Sequence, residues 1–171
     1  QGKAAASVKE EDLIQNLYVL SSHVQILCFT TKGKVFWLKV YEIPVASRTS
    51  KGRPLVNMLN LDDDERVSEI LPVEEFSDKH FIFMATRKGI TKKTNLSLFA
   101  RKWKSGIKAI NLDEDDKLIG TAITDGTKEI LLASSAGKLI RFKESKVRAM
   151  GRTARGVKGI KLKKGQKLIS L

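Results

Sequence analysis

The sequence of 171 residues is poor in cysteine, proline and uninterrupted apolar segments. Its single cysteine, Cys28, excludes an internal disulfide and lies in an apolar segment, which favours a buried core thiol over a nucleophile. The longest apolar run is about five residues, whereas a membrane helix needs ~18. No signal peptide and no low-complexity linker are visible. These absences predict a soluble, cytoplasmic single domain over residues 1–171 with no membrane partner.

Residue types that carry chemistry are scarce as well. The two histidines, His23 and His80, have no other Cys or His at metal-ligand spacing, so structural or surface positions are favoured. Neither Tyr18 nor Tyr41 has the adjacent Arg, His and carboxylate that would suit a nucleophile. No glycine-rich segment ends in the Gly-Lys-Ser/Thr of a phosphate loop. The sequence therefore predicts a chain without an active site, a cofactor or a bound metal.

Negative charge is nearly missing from the last quarter of the chain. Residues 131–171 contain 12 Lys or Arg and a single acid, Glu144, whereas residues 1–130 contain 20 basic and 18 acidic residues. The net charge of +13 is thus concentrated in one part of the sequence. Because a solvated surface normally intersperses both signs, this asymmetry favours a polyanion ligand, with nucleic acid as the first candidate.

What is present is a unit that occurs three times, about 50 residues apart. Aligning Gly33, Gly89 and Gly137 places an Ile seven residues before each glycine and a Thr or Ser three residues before it. The apolar segments on both sides of the glycines are too short for helices, which predicts a strand, a tight turn and a second strand. Each unit then has a basic loop, and these loops lie at residues 48–53, 101–106 and 148–156.

A second hairpin is predicted after each basic loop. In each unit a short apolar segment leads into a polar turn, and these segments are residues 59–61, 110–112 and 160–162. Six residues after the end of each segment comes another apolar residue, which is Val67, Leu118 or Leu168. Four short strands per unit are typical of a blade that must stack on its neighbours. We therefore expect a propeller-like all-β fold of about three and a half blades from a longer array. The expected divisions are a half blade at 1–20 and blades at about 21–76, 77–126 and 127–171.

Strand alternation predicts where the cations meet. Side chains four and six residues after each turn glycine should point to one face, beside the basic loops. Trp37, Phe99 and Trp103 could stack on bases, but core packing or loop anchoring is favoured, so the predicted contacts are to phosphates and largely independent of base sequence. The candidate contacts are Lys39, Arg48, Lys51, Arg53, Lys93, Arg101, Lys102, Lys104, Arg141, Lys143, Lys146, Arg148, Arg152, Arg155 and Lys158.

The acidic residues fall on two equivalent turns. Residues 62–65 (DDDE) and 113–116 (DEDD) take the place where the third unit has KKGQ at 163–166. Clustered carboxylates suit a divalent cation, but Asp-rich segments also suit turns. Because the third unit lacks the acids, the turn interpretation is favoured. Separate acidic turns would repel a polyanion from one rim of the fold and leave it the other.

Three segments closely resemble the C-terminal domain of the DNA gyrase A subunit, and the similarity extends over essentially the whole chain. They are residues 51–57 (KGRPLVN), 84–94 (MATRKGITKKT) and 141–152 (RFKESKVRAMGR). The resemblance implies a β-pinwheel of four-stranded blades that is not itself catalytic and bends double-stranded DNA around a basic outer rim. It also implies a bacterial partnership with the remainder of the gyrase A subunit, which cleaves DNA, and with the gyrase B subunit, which hydrolyses ATP during negative supercoiling.

One segment departs from the family pattern. The family carries a first-blade motif with the order Gln, basic, Arg, Gly, Gly, basic, Gly, basic. In this chain only Gln1-Gly2-Lys3 corresponds to it. We therefore expect the chain to bind and bend DNA without completing a supercoiling-competent wrap. Two alternatives stay open: a propeller-type scaffold for an acidic protein partner, and the equivalent domain of topoisomerase IV. Binding to any duplex with steep salt dependence would distinguish DNA wrapping from the protein scaffold.

Overall fold

The computed structural model describes residues 23–39 and 58–171. The predicted half blade at 1–20 and the first basic loop, with Arg48, Lys51 and Arg53, lie outside these residues. Two short 3₁₀ turns, Leu96–Phe99 and Glu144–Lys146, accompany the strands. The predicted all-β class is confirmed, and no helix in the described part is long and apolar enough to span a membrane. In chain order the strands β1 to β11 are Gln25–Thr30, Lys34–Lys39, Val67–Val73, Phe81–Thr86, Ile90–Asn95, Ile107–Lys108, Leu118–Thr124, Glu129–Ser134, Leu139–Lys143, Val157–Lys158 and Leu168–Ser170.

The first hairpin of each unit explains the repeated Thr or Ser and Gly. Gly33, Gly89 and Gly137 have φ angles of +77°, +88° and +77°, a region that glycine enters without the steric cost of a Cβ. The hydroxyl three residues earlier accepts a hydrogen bond from the backbone N–H that follows the glycine. The acceptor and donor pairs are Thr30 with Lys34 at 3.3 Å, Thr86 with Ile90 at 3.1 Å, and Ser134 with Lys138 at 3.1 Å.

The described strands form three antiparallel sheets that exchange strands between units. Their orders are β3-β1-β2-β6, β7-β4-β5-β10 and β11-β8-β9. In the first two sheets the first hairpin of the unit lies in the middle, whereas in the third sheet its second strand, β9, is an edge; in all three sheets the last strand of the unit lies on one edge. In the first two sheets the other edge is a strand of the following unit: Lys34 pairs with Lys108, and Ile90 pairs with Lys158. A sheet is therefore not contiguous in sequence.

The predicted second hairpin is wrong in the second and third units. The strand after the basic loop does not pair with the last strand of its own unit but crosses to the preceding sheet. The backbone N–H groups of Ala109 and Ile110 donate to the carbonyl of Gly33 at 2.8 and 3.3 Å. Gly159 and Ile160 repeat these bonds to Gly89 at 2.8 and 3.3 Å. Hydrogen bonds to the neighbouring turn thus replace the bonds of a local hairpin.

The sheets stack face to face, so the cores lie between units. Alternate residues of β1 belong to different hydrophobic clusters. On one face, Leu27 and Phe29 pack with Ile82 and Met84 of the second unit. On the opposite face, Ile26 and Cys28 pack with Phe36 and Leu38 of their own unit. In the same way Phe83 and Ala85 join Ile130 and Leu132 of the third unit. Burial on both faces explains why β1 and β4 are continuous apolar runs, whereas the equivalent strand β8 of the third unit leaves Leu131 exposed. The expected core position of Cys28 is confirmed, and burial raises the pKa of its thiol to about 12.

Candidate nucleic-acid interface

The basic loop of the second unit is anchored at its base by apolar contacts. Leu96 and Phe99 of the 3₁₀ turn are buried, and the Phe99 ring meets Phe29 edge to face with 6.1 Å between centroids. Trp37 Nε1 donates a hydrogen bond to the Phe99 carbonyl at 2.9 Å. Trp37 and Phe99 therefore anchor the loop, as the sequence predicted.

Beyond this anchor the loop faces solvent. Arg101, Lys102 and Lys104 are exposed, and the Arg101 guanidinium lies over the Trp103 ring at 4.4 Å. The chain returns to β6 at Gly106, where a Cβ would lie only 2.7 Å from the Phe36 ring. The loop is thus fixed at both ends and presents three cations between them, an arrangement that suits phosphate contacts.

The basic loop of the third unit, residues 148–156, lies along the second sheet. The Met150 N–H donates to the Lys93 carbonyl at 2.7 Å, and the Asn111 N–H donates to the Ala154 carbonyl at 3.2 Å. A Cβ at Gly156 would overlap the Thr91 carbonyl oxygen, so this approach requires glycine. The loop therefore joins two units rather than extending from one.

The remaining candidate DNA contacts fall into half-buried and exposed residues. Lys39 and Arg152 are half-buried. The exposed ones are Arg101, Lys102, Lys104, Arg141, Lys143, Lys146, Arg148, Arg155 and Lys158. The structure thus exposes nine of the predicted cations, all in the second and third units, and two of them, Arg141 and Arg155, lie within 4 Å of a carboxylate. Their contact with DNA stays a prediction.

Lys93 is the exception, because its expected exposed position is wrong. The side chain is buried, and its Nζ lies 4.8 Å from the centre of the Phe81 ring. Nζ donates to the Glu144 carbonyl at 3.2 Å and lies 4.0 Å from the Glu144 carboxylate, which is fully buried. Alternation correctly aligns Lys93 with Arg141, but the third unit covers this face of β5. The cation therefore holds two units together instead of facing a ligand.

The acidic turns have a structural role in the first two units. Lys32 Nζ contacts Asp64 at 2.7 Å and Asp62 at 3.0 Å, and these hydrogen bonds raise the pKa of Lys32 and lower that of Asp64. In the second unit Lys88 donates its N–H to Asp116 at 3.0 Å and its Nζ to the Glu114 carbonyl at 2.8 Å. In the described ranges, no group of three or more His, Cys, Asp or Glu is placed to hold a metal ion.

The third unit changes both sides of this contact. In the turn of its first hairpin, Ser135-Ala136 stands where each of the other two units has a pair that ends in lysine. In its second turn, Lys163 and Lys164 stand where the other two units have acidic residues. Neither lysine forms an ion pair with a carboxylate in the part of the chain that the structure describes. The charge asymmetry of the sequence thus leaves free cations on the surface of this unit.

Acids and bases are not confined to separate rims, which corrects the expectation from the sequence. Arg155 Nη1 lies 3.5 Å from the Asp113 carboxylate, although the two belong to different units. Strand exchange is the physical reason, because it brings the basic loop of the third unit beside the acidic turn of the second. An anion that binds Arg155 must therefore compete with Asp113.

A family profile described as the DNA gyrase C-terminal domain, beta-propeller, matches the chain three times in succession, over residues 25–74, 80–125 and 128–171. The chain belongs to this family. The DNA gyrase A subunit of Salmonella typhimurium is 52% identical over 171 residues, and that of Escherichia coli K12 is 50% identical over the same length. Both alignments cover 100% of this chain but 20% of the relative. The chain thus spans about a fifth of the length of the curated relatives it matches.

Solved structures confirm the pinwheel architecture of this gyrase-family chain. The C-terminal domain of DNA topoisomerase IV is similar at a TM-score of 0.81 and 32% identity, with 88% of this chain and 47% of that chain covered. The C-terminal domain of DNA gyrase A gives a TM-score of 0.70 at 23% identity with the same coverage, which shows the shared fold. The chain thus spans about half the length of each of these two solved chains.

Sequence reasoning missed Lys92 as well as the burial of Lys93. Thr91, Lys92, Lys93 and Thr94 are all buried in β5, a strand whose polar sequence indicated a surface. A signal was available in the repeat, because Lys92 aligns with Phe36 of the first unit, which packs into the core. Comparing equivalent positions would have identified a covered strand.

Proposed function

We propose that this chain binds and bends double-stranded DNA as the non-catalytic, DNA-wrapping part of a bacterial gyrase A subunit. The proposal places strand cleavage in the remainder of that polypeptide and ATP hydrolysis in the gyrase B subunit. The chain itself contributes the cationic surface that holds DNA during negative supercoiling. Its working compartment is then the bacterial cytoplasm, where the chromosome lies.

The observation that carries the proposal is the recurrence of an exposed cationic loop at equivalent positions in successive stacked units. Arg101, Lys102 and Lys104 present one set of charges, and Arg148 and Arg155 begin and end the next. A duplex is a regular polyanion, so cations repeated at the spacing of the stacked sheets can contact phosphates in sequence along its length. Loops that contact phosphates fix the position of DNA but do not read its bases.

Bending follows from the stacking of the units. Each sheet is locked to the next by backbone bonds such as Leu118 N–H to Thr31 O at 3.0 Å and Leu168 N–H to Arg87 O at 2.7 Å. The two basic loops are therefore held in a fixed relation. DNA that contacts both must adopt their curvature, and the free energy of the added phosphate contacts offsets the cost of bending.

Two matched triple variants test this path. Alanine replacement of three loop arginines should weaken duplex binding and reduce the slope of log K against log salt by up to ~3, because each lost phosphate contact lowers it by about one. Alanine replacement of three lysines on or beside the 163–166 turn removes equal charge but should do less, since the other two units carry mostly acid at this turn. The arginines are Arg148, Arg152 and Arg155, and the lysines are Lys163, Lys164 and Lys167.

The outcomes separate the competing functions. Equal losses from the two variants would show that diffuse charge attracts DNA, and a larger loss from the lysine variant would place the path on the turn. A flat salt response of the unmodified chain would favour an acidic protein partner instead. Bending is measured by relaxing plasmid with a topoisomerase in the presence of the chain and reading the captured linking difference, which should be absent with the arginine variant.

A further inference from the structure

Lys92 is a buried cation whose ammonium contacts backbone carbonyls instead of a carboxylate. The side chain is fully buried, and its Nζ donates hydrogen bonds to the carbonyls of Ala109, at 2.7 Å, and Arg152. No ion pair of Lys92 occurs within the described ranges. Burial of a charged group is costly unless its hydrogen-bond donors are occupied, so these two bonds are what compensate the ammonium.

The two carbonyls belong to consecutive units. Ala109 follows β6 in the second unit, and Arg152 lies in the middle of the basic loop of the third. Lys92 therefore connects β5 to the backbone of the loop that carries the predicted phosphate contacts. The loop is close to β5 here, because a Cβ at Gly156 would lie 3.2 Å from the Cβ of Lys92.

The equivalent position has a related role in the first unit. Phe36, three residues after the turn glycine, packs its ring beneath Gly106, at the end of the next basic loop. Ile140 occupies this position in the third unit. A hydrocarbon side chain can support a loop by contact, but only a donor can fix the direction of a carbonyl and hence the peptide unit that carries it.

We propose that Lys92 is a positioning residue that holds the 148–156 loop in the conformation that contacts DNA, by fixing the carbonyl of Arg152. The inference rests on the proposed function of the loop. Lys92 does not touch DNA in this scheme, and it acts through the backbone of Arg152 and the cations on either side.

A dependence on pH follows. Burial, and then the positive charge of Arg152, lower the pKa of Lys92 from 10.5 to about 8. Met84, opposite Lys92 on β4, and Gly156 carry no titratable group, so Arg152 is the charged group that faces it. Opening of the loop would expose Lys92 to water and take the Arg152 charge away, so its pKa would return towards 10.5. By linkage, a pH above ~8 should therefore favour the closed loop over the open one.

The first experiment needs no DNA. Limited trypsin digestion of the whole chain should cut after Arg152 and Arg155 faster in Lys92→Met than in Lys79→Met, which removes one exposed charge between β3 and β4. The rate of trypsin cleavage within residues 101–104 of the same chain serves as the internal reference for each rate. Equal rates in the two variants would overturn the positioning role. If Lys92→Met does not fold, the unmodified chain decides: cutting of the loop relative to the internal reference should decrease from pH 7 to 9, and a constant ratio would overturn the proposal.

The second experiment measures duplex binding. Lys92→Met should bind about 5-fold more weakly than Lys79→Met at pH 7, the effect of one lost hydrogen bond. The advantage of the unmodified chain should grow from pH 7 to 9, because deprotonation of Lys92 favours the closed loop, while the affinity of Lys92→Met changes less. Parallel pH profiles would overturn the inference. If the unmodified chain binds no DNA, the proposed function fails, whereas the trypsin comparison still decides whether Lys92 positions the loop.

Discussion

Adding one methyl group at equivalent turns should measure how strongly the units are locked together. Gly89 and Gly137 have similar φ angles of +88° and +77°. Their surroundings differ: a Cβ at Gly89 would lie 2.8 Å from Ile160 Cγ2 and 2.9 Å from its carbonyl oxygen, whereas a Cβ at Gly137 would meet nothing within 4 Å. Alanine replacement therefore imposes the same backbone cost at both sites but a steric cost only at Gly89.

The magnitudes follow from these distances. A Cβ in the left-handed region costs roughly 1–2 kcal/mol, which is the whole effect expected for Gly137→Ala. Overpacking of a closed contact adds about 1–3 kcal/mol, because the backbone carbonyl of Ile160 cannot rotate away. Gly89→Ala should therefore lower the free energy of unfolding by about 2–5 kcal/mol. Gly33→Ala should behave like Gly89→Ala, since Ile110 Cγ2 stands 2.8 Å from its added Cβ.

Urea unfolding followed by circular dichroism measures the three variants. Comparable m-values allow the free energies to be compared directly. Equal destabilisation by Gly89→Ala and Gly137→Ala would refute the reasoning, because it would mean that the turn of the second unit is not held against the third in solution. A lower m-value for Gly89→Ala alone would instead indicate that the units separate before they unfold.

Two further predictions concern the buried cations. Glu144→Gln should lower the free energy of unfolding by about 3–5 kcal/mol, because it removes the charge that faces the buried Lys93 ammonium. Adding Lys93→Met should restore part of this stability. Strictly additive effects in the double variant would show that the pair does not interact. For Lys92, the folded-state pKa of about 8 lies below the ordinary 10.5, so the unfolded chain keeps a proton that the folded chain has released between these values. The stability of the unmodified chain relative to Lys92→Met should therefore rise from pH 8 to 10, by at most about 3 kcal/mol, and a fall over this range in urea unfolding would contradict the assignment.

The sequence by itself determined the local unit and its repetition. A Thr or Ser three residues before a Gly specifies a hairpin turn, because the hydroxyl and the positive φ angle act within a few residues. The continuous apolar runs specified strands of the core, and with them the position of Cys28, although Leu131 in the third of these strands is exposed. The exposed loop cations, such as Arg101 and Arg148, were also predictable, since polar segments between apolar strands must lie on the surface.

Only the tertiary structure decided which strand pairs with which and which cations remain free. Alternation gives the face on which a side chain lies but not what covers that face, so Lys93 and Arg141 share a pattern and differ in burial. Ile107–Lys108 could pair locally or with the preceding sheet, and the choice depends on long-range bonds to Gly33. That exchange then placed Asp113 beside Arg155 and the Arg152 carbonyl on Lys92. Contacts between units arise from the stacking of whole sheets, and no local pattern in the chain encodes them.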